Sequence, residues 1–179
     1  MDYITNLREL DSTKKYWLND AKNLVTALSK AYGEIALTKL SQQFEAPTSF
    51  EKDLLSNNDT IVRKITLSSS DETLVFARTA IPKNTYDYFT AELNNLGTKP
   101  IGDNLLFDKD RFSRDDFIIR KLPSDVFVTE AAINFNFFDN NQIENTYSRS
   151  SVFSFKKDSS LKMLITEYFL IMPELTNAN

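Results

Sequence analysis

One row of alternating residues near the C-terminus constrains this chain more than anything else in it. Side chains of a strand point alternately to its two faces, so residues two apart share a face. Along 161–171 the row Leu161, Met163, Ile165, Glu167, Phe169, Ile171 is apolar at five of six places, with a carboxylate in the middle. A one-residue slip would expose five large apolar side chains, at roughly 1.5–3 kcal/mol each. The row therefore faces the core and carries Glu167 with it.

The same pattern recurs with the opposite charge. Ile61, Ile65 and Leu67 share a row with Arg63; Leu74, Phe76 and Ala80 share one with Arg78; Tyr147, Phe153 and Phe155 share one with Arg149. Three arginines and one glutamate thus stand where aliphatic residues are expected. Buried ion pairs account for part of this, since arginine suits such pairs and they need no chemistry. The arginines outnumber the glutamate, however, and a small anionic ligand held by bidentate guanidinium contacts would supply the missing carboxylate.

Period two runs through most of the chain. Strands are expected at 60–67 and 74–80, as a hairpin, and at 116–122, 126–138, 146–155 and 161–171. Helices are expected at 16–31, where Trp17, Ala21, Leu24, Val25 and Leu28 form a stripe, and at 85–96, with Gly97 just past the end. A further helical stretch is expected around Ile35, Leu37, Leu40 and Phe44, followed by a polar connection over 46–59. The fold class that follows is α+β: a single antiparallel sheet with flanking helices around a buried ligand pocket, in one domain over 1–179.

Composition narrows the chemistry. The 179 residues contain no cysteine and no histidine, which removes disulfides, thiolate nucleophiles, Cys/His zinc sites and imidazole acid–base catalysis. An enzyme built from this chain works with Arg, Lys, Glu, Asp, Tyr and backbone amides. A net charge of −4 gives no basic footprint for nucleic acid. No apolar run approaches the roughly 20 residues that span a bilayer, and the N-terminus lacks a signal-peptide pattern, so a cytoplasmic monomer is the expectation. The segment 97–102, Gly-Thr-Lys-Pro-Ile-Gly, is not a P-loop, but it can offer backbone N–H groups to an anion.

Taken in order, Ile61-Val62-Arg63-Lys64-Ile65, Phe76-Ala77-Arg78-Thr79-Ala80-Ile81-Pro82, Leu96-Gly97-Thr98-Lys99-Pro100-Ile101-Gly102 with Leu105-Leu106-Phe107, and Ile165-Thr166-Glu167-Tyr168-Phe169 with Pro173 resemble chorismate lyase. The resemblance runs from about Trp17 to the C-terminus. It implies an antiparallel sheet with a lidded internal cavity and a cofactor-free cleavage of chorismate to 4-hydroxybenzoate and pyruvate, feeding ubiquinone biosynthesis. It implies that Arg63 and the Ile101 amide bind the ring carboxylate, and that Arg78 meets the pyruvyl carboxylate or braces Glu167. A flap-helix amide at Leu28 is implied as a further contact. Glu167 is implied at the phenolic oxygen, as an acid toward the ether oxygen or as an acceptor from the new phenol. Two other readings remain: a non-catalytic sensor of anionic or aromatic effectors with the same fold, and a structural domain with buried ion pairs.

Overall fold

In the computed structural model, residues 1–70, 72–131 and 145–174 are described, Asn145 by its backbone alone. One antiparallel sheet dominates. Its strands are β1 (Asp2–Tyr3), β2 (Ala36–Glu45), β3 (Thr60–Ser69), β4 (Glu72–Pro82), β5 (Phe112–Arg114), β6 (Ile118–Pro123), β7 (Asn145–Phe155) and β8 (Asp158–Phe169). They lie in the order β1-β6-β7-β8-β4-β3-β2, and β5 also pairs with β7. Helices α1 (Ser12–Lys15), α2 (Leu24–Tyr32), α3 (Ser49–Leu55), α4 (Lys83–Tyr88), α5 (Thr90–Asn94) and α6 (Ser124–Ala131) flank it. The architecture is the expected α+β class, and no described helix is long and apolar enough to cross a membrane.

The long central strands β3, β4, β7 and β8 follow the expected positions closely. Three other segments differ. The stretch expected to be helical at 35–44 is the edge strand β2, whose pairing with β3 shifts between Lys39 and Ser41. The spacing of three and four among Leu37, Leu40 and Phe44 imitates a helix, but on the strand Leu37 and Leu40 pack with cores on opposite faces and Phe44 is exposed. The connection expected at 46–59 holds α3, closed by a capping box in which Thr48 Oγ1 accepts from Glu51 N and Glu51 accepts from Thr48 N. The strand expected at 126–138 is helix α6 as far as Ala131, and its remainder lies outside the described residues. Tertiary contact overrides the β-branched composition there: Phe127 and Ala131 bury against Phe76, Leu122 and Tyr168.

The helix expected over 16–31 is broken. A wide turn at Tyr16–Asp20, closed by Ala21 N donating to Tyr16 O (2.8 Å), precedes an extended Asn23 that caps α2 through Thr26 N. Asparagine at that position satisfies one orphan amide and lets the chain restart a helix in a new direction.

Each face of the sheet carries its own core. On one face Trp17, Leu18, Leu24, Leu28, Val75 and Phe169 bury together, and beside them lies a second cluster that includes Phe89, Leu93, Ile101, Phe153 and Met163. The opposite face buries Phe76, Leu122, Phe127 and Tyr168 under α6, and Leu55, Ala80, Val152 and Leu164 under α3.

The hairpin register decides where the inward charges go. Lys64 pairs with Arg78 and Arg63 with Thr79, so Arg63 and Arg78 lie on opposite faces. Ala77 pairs with Glu167, which in turn pairs with Arg149, placing Arg63, Arg149 and Glu167 on one face. Arg78 has its own partners across the sheet. Its Nε donates to Glu51 Oε1 (2.5 Å), Nη2 to Glu51 Oε2 (3.1 Å), and Nη1 to Glu45 Oε2 (2.8 Å). Burial by itself would raise the Glu45 carboxyl, but the bonds from Lys64 and Arg78 hold it below its usual range.

Arg78 and Glu51 are nearly solvent-free, at 1% and 2% exposed. Removing the Glu51 charge leaves the buried Arg78 with Glu45 as its remaining carboxylate partner. Glu51→Gln is therefore expected to lower the unfolding free energy by about 1–3 kcal/mol, the range for a buried hydrogen bond to a charged group; urea denaturation followed by circular dichroism measures it.

Candidate functional site

A small cavity lies between the Arg63 face of the sheet and the elements that cover it. Its floor comes from β3, β4 and β8 through Ile65, Leu67, Ala77, Thr79, Ile165 and Glu167. The roof is the start of α2, with Asn23, Leu24 and Val25, together with Pro100, Ile101, Gly102, Asp103 and Phe107 from the following loop and turn. It encloses about 50 Å³. An apolar cavity of roughly 150 Å³ is what takes up a benzene ring, so an aromatic ligand requires part of the roof to move outward.

Glu167 is held from the neighbouring strand. Arg149 Nε donates to Glu167 Oε2 at 2.5 Å, while Nη1 donates to the carbonyls of Trp17 and Ala21, both at 2.7 Å. The Arg149 guanidinium also stacks on Phe117, 4.3 Å from the ring centroid. The side chain of Arg149 is fully buried and that of Glu167 is 16% exposed. Glu167 is thus fixed in direction yet open to the cavity.

Arg63 does not line the cavity but lies next to it on the same face, two residues before Ile65 on β3 and paired with Thr79. Nη1 donates to Gln42 Oε1 (3.0 Å), and Nη2 to the carbonyls of Gly97 (2.8 Å) and Lys99 (3.2 Å). These bonds go to neutral acceptors and use three of the five N–H groups of a guanidinium. Burial holds the Arg63 pKa below the ordinary arginine value. The carbonyl of Gly97, in left-handed backbone at φ 53°, is presented to Arg63 by a conformation that glycine adopts most readily.

Two backbone starts border the same space. The turn that begins at Pro100, whose carbonyl accepts from Asn104 N at 3.2 Å, has the Ile101 and Gly102 amides at its head. The amides of Leu24 and Val25 open α2, ahead of any acceptor in their own helix. All four residues line the cavity, and the start of a helix carries partial positive charge.

Of the residues expected from the sequence, the structure brings Ile101 and Glu167 together in the cavity lining, places Arg63 beside it on the same face, and separates two others. Arg78 lies across the sheet, engaged by Glu51 and Glu45, and neither touches the cavity nor braces Glu167; the brace is Arg149. Leu28 is fully buried one turn inside α2, where its amide belongs to the helix; Leu24 and Val25, at the helix start, form the wall instead. Sequence reasoning missed Thr79, Asn23 and Asp103. Asn23 Nδ2 donates to Asp103 Oδ1 (2.6 Å), joining the two halves of the roof. The signal for Asn23 was its position as a cap ahead of Leu-Val-Thr; for Asp103 it was adjacency to the Pro-Ile-Gly turn.

A sequence profile of the chorismate lyase family matches residues 4–178, and the chain belongs to that family. Among curated relatives, a probable chorismate pyruvate-lyase of Coxiella burnetii is 27% identical over 165 residues, covering 88% of this chain and 83% of the relative. One of Idiomarina loihiensis is 28% identical over 163 residues, covering 90% and 80%. Among solved structures, the PhnF C-terminal domain overlays with a TM-score of 0.54 at 11% identity, over 79% of this chain and 86% of that one. The effector-binding domain of the Bacillus subtilis trehalose repressor does so with a TM-score of 0.52 at 13% identity, over 75% and 89%. These overlays show a shared fold.

Gly102 closes the roof by close approach. A Cβ there would lie 2.5 Å from Phe107 Cζ and 2.6 Å from Cε2, so the ring that lines the cavity must swing away. Gly102→Ala is expected to cost about 1–3 kcal/mol, as overpacking does, read as a lowered melting temperature.

Proposed function

We propose that this chain is a lyase that converts chorismate to 4-hydroxybenzoate and pyruvate in the cavity that Glu167 lines and Arg63 adjoins. One observation carries the reading: a strand-fixed carboxylate lines the cavity, and a buried guanidinium whose hydrogen bonds go to neutral acceptors lies next to it on the same face, beyond the lining residue Thr79, in a chain of this family. A 4-hydroxybenzoate ring has a carboxylate at one end and a hydroxyl at the other, which matches that polarity.

In the reaction the ring C–O bond to the enolpyruvyl group breaks and the ring loses a proton to become aromatic. The released enol becomes pyruvate. Aromatisation supplies the driving force, so the protein's task is to hold the dianion in a reactive conformer and to stabilise the charge as it shifts. Arg63 and the Ile101 amide take the ring carboxylate. Paired with Arg149, Glu167 works as a carboxylate and accepts from the hydroxyl that becomes the phenol. The Leu24 and Val25 amides add positive potential on the α2 side. No step needs an imidazole or a thiol.

The sensor reading shares the fold and differs in outcome, since a sensor binds without turnover. Mixing the protein with chorismate and following 4-hydroxybenzoate absorbance separates the two. Glu167→Gln and Arg63→Met are each expected to reduce turnover by about a hundredfold or more, the low end of what a positioned acid–base or charge-stabilising group contributes. Unchanged rates in both variants would remove these residues from the site.

Because the roof must open for a ring to pass, product release is expected to limit turnover. 4-Hydroxybenzoate should inhibit, and a pre-steady-state experiment with chorismate in excess over enzyme should show a burst of product followed by a slower steady phase. A release rate well above kcat would contradict this.

A further inference from the structure

On the outer side of Phe107 lies a second and larger cleft of about 570 Å³, which shares Asn23 and Phe107 with the inner cavity. Among the described residues, four cations line it, Lys22, Lys109, Arg114 and Lys156, and no carboxylate does. Arg114 forms the floor. Its Nε donates to Ser151 Oγ (3.1 Å) and Nη1 to Lys22 O (2.7 Å), both neutral acceptors. The guanidinium is sandwiched by aromatic rings, with centroids of Phe117, Phe153 and Phe107 at 4.2, 5.1 and 5.7 Å. Burial pushes its pKa down to about 10, against the opposing pull of Glu167, so it remains a cation at neutral pH. At the rim Lys156 Nζ donates to Lys109 O, which draws two ammonium-bearing side chains to one edge.

A guanidinium hydrogen-bonded to neutral acceptors, set between phenyl rings and under a rim of lysines, is chemically specific. The rings favour a flat apolar body, the floor cation favours a carboxylate, and the rim raises the local concentration of anions. We infer that this outer cleft is a second binding site for an aromatic carboxylate, with the carboxylate on Arg114 and the ring against Phe107 and Phe153. The site rests on its own residues and not on the reaction assigned to the inner cavity. Phe107 lines both spaces, so a ring in the outer cleft bears on a side chain of the inner roof.

Isothermal titration of the full chain with 4-hydroxybenzoate tests this. Wild-type protein is expected to bind two molecules per chain. The double variant Lys109→Ser/Lys156→Ser is expected to weaken one of them by about tenfold, Arg114→Gln to abolish the same one, and Arg63→Met to abolish only the other. Acetate, lacking a ring, is expected to compete poorly for either. One molecule per chain, lost in Arg63→Met and unaffected by the lysine variants, would overturn the outer site. One molecule lost in the lysine variants and kept in Arg63→Met would uphold it and remove the ligand from the inner cavity. Two molecules without turnover of chorismate would uphold the outer site and reject the reaction. The lysines lie at the exposed rim, so their variant carries the test even where Arg114→Gln fails to fold.

Discussion

The Arg149 guanidinium is the tie on which the site depends. Through Nε it sets Glu167 on β8, and through Nη1 it holds the carbonyls of Trp17 and Ala21 at the end of the wide turn before α2. A wide turn leaves carbonyls without partners in their own helix, and a buried carbonyl without a donor is costly. Arg149 satisfies two of them with one cationic group. The roof of the cavity and the carboxylate on its floor are thereby referred to a single side chain. Asn23 and the start of α2 follow directly after Ala21, so the direction from which α2 meets the cavity is inherited from this contact.

The register of the β3–β4 hairpin divides the charged residues into two systems. On the face under α3 and α6, three cations meet three carboxylates: Lys64 and Arg78 with Glu45 and Glu51, and Arg120 with Glu130. That side is balanced and anchors helices to the sheet. Arg120 adds a stacking contact with Phe50 at 3.6 Å, so α3 and α6 are held by guanidinium groups as well as by their apolar residues. Energetically, buried pairs of this kind stabilise less than an apolar replacement often would. What they fix is which helix lies over which strand.

Much of this was legible in the sequence, and the parts that were not have physical reasons. The alternating row around Glu167 identified that residue and its face because β8 carries a clear apolar row. Strand β4 is different: Leu74 through Pro82 are buried on both faces. The Val75-Ala77-Ile81 row is as apolar as the Phe76-Ala80 row, so alternation says that Arg78 is buried but not on which side. Only pairing with β3 settles it, and pairing is a property of two strands at once. Glu45 and Glu51 were invisible for a related reason. They lie on a bulged edge strand and a short capped helix, where period is lost, so the carboxylates that neutralise Arg78 came from segments whose structure the pattern could not supply. Leu28 failed by one helical turn, because the break at Ala21–Asn23 moved the helix start and with it the free amides.

The argument that a carboxylate is missing survives this division, with its members changed. Arg78 leaves the count, since Glu51 and Glu45 neutralise it. Arg114, which a mixed charge run near 109–116 concealed, enters it. Among the described sheet residues of the cavity face, Arg63, Arg149 and Arg114 then stand against Glu167, three buried or half-buried guanidinium groups to one carboxylate, while the exposed Asp103 of the roof accepts from Asn23 Nδ2. The head of α2 and the Pro100 turn add further positive ends on the same side. Surplus positive charge in a partly desolvated region is unfavourable for folding by itself, because each unpaired guanidinium loses water without gaining an anion. Such a surplus is retained where an anion is to be bound, and its size bears on the ligand: two guanidinium groups whose hydrogen bonds go to neutral acceptors suit two carboxylates better than one. Chorismate carries two, and an inner ring carboxylate with a second anion beyond Phe107 carries the same total. The charge balance of this face thus supports a dianionic load, while Phe107, which lines both spaces, bears on whether that load is one molecule or two.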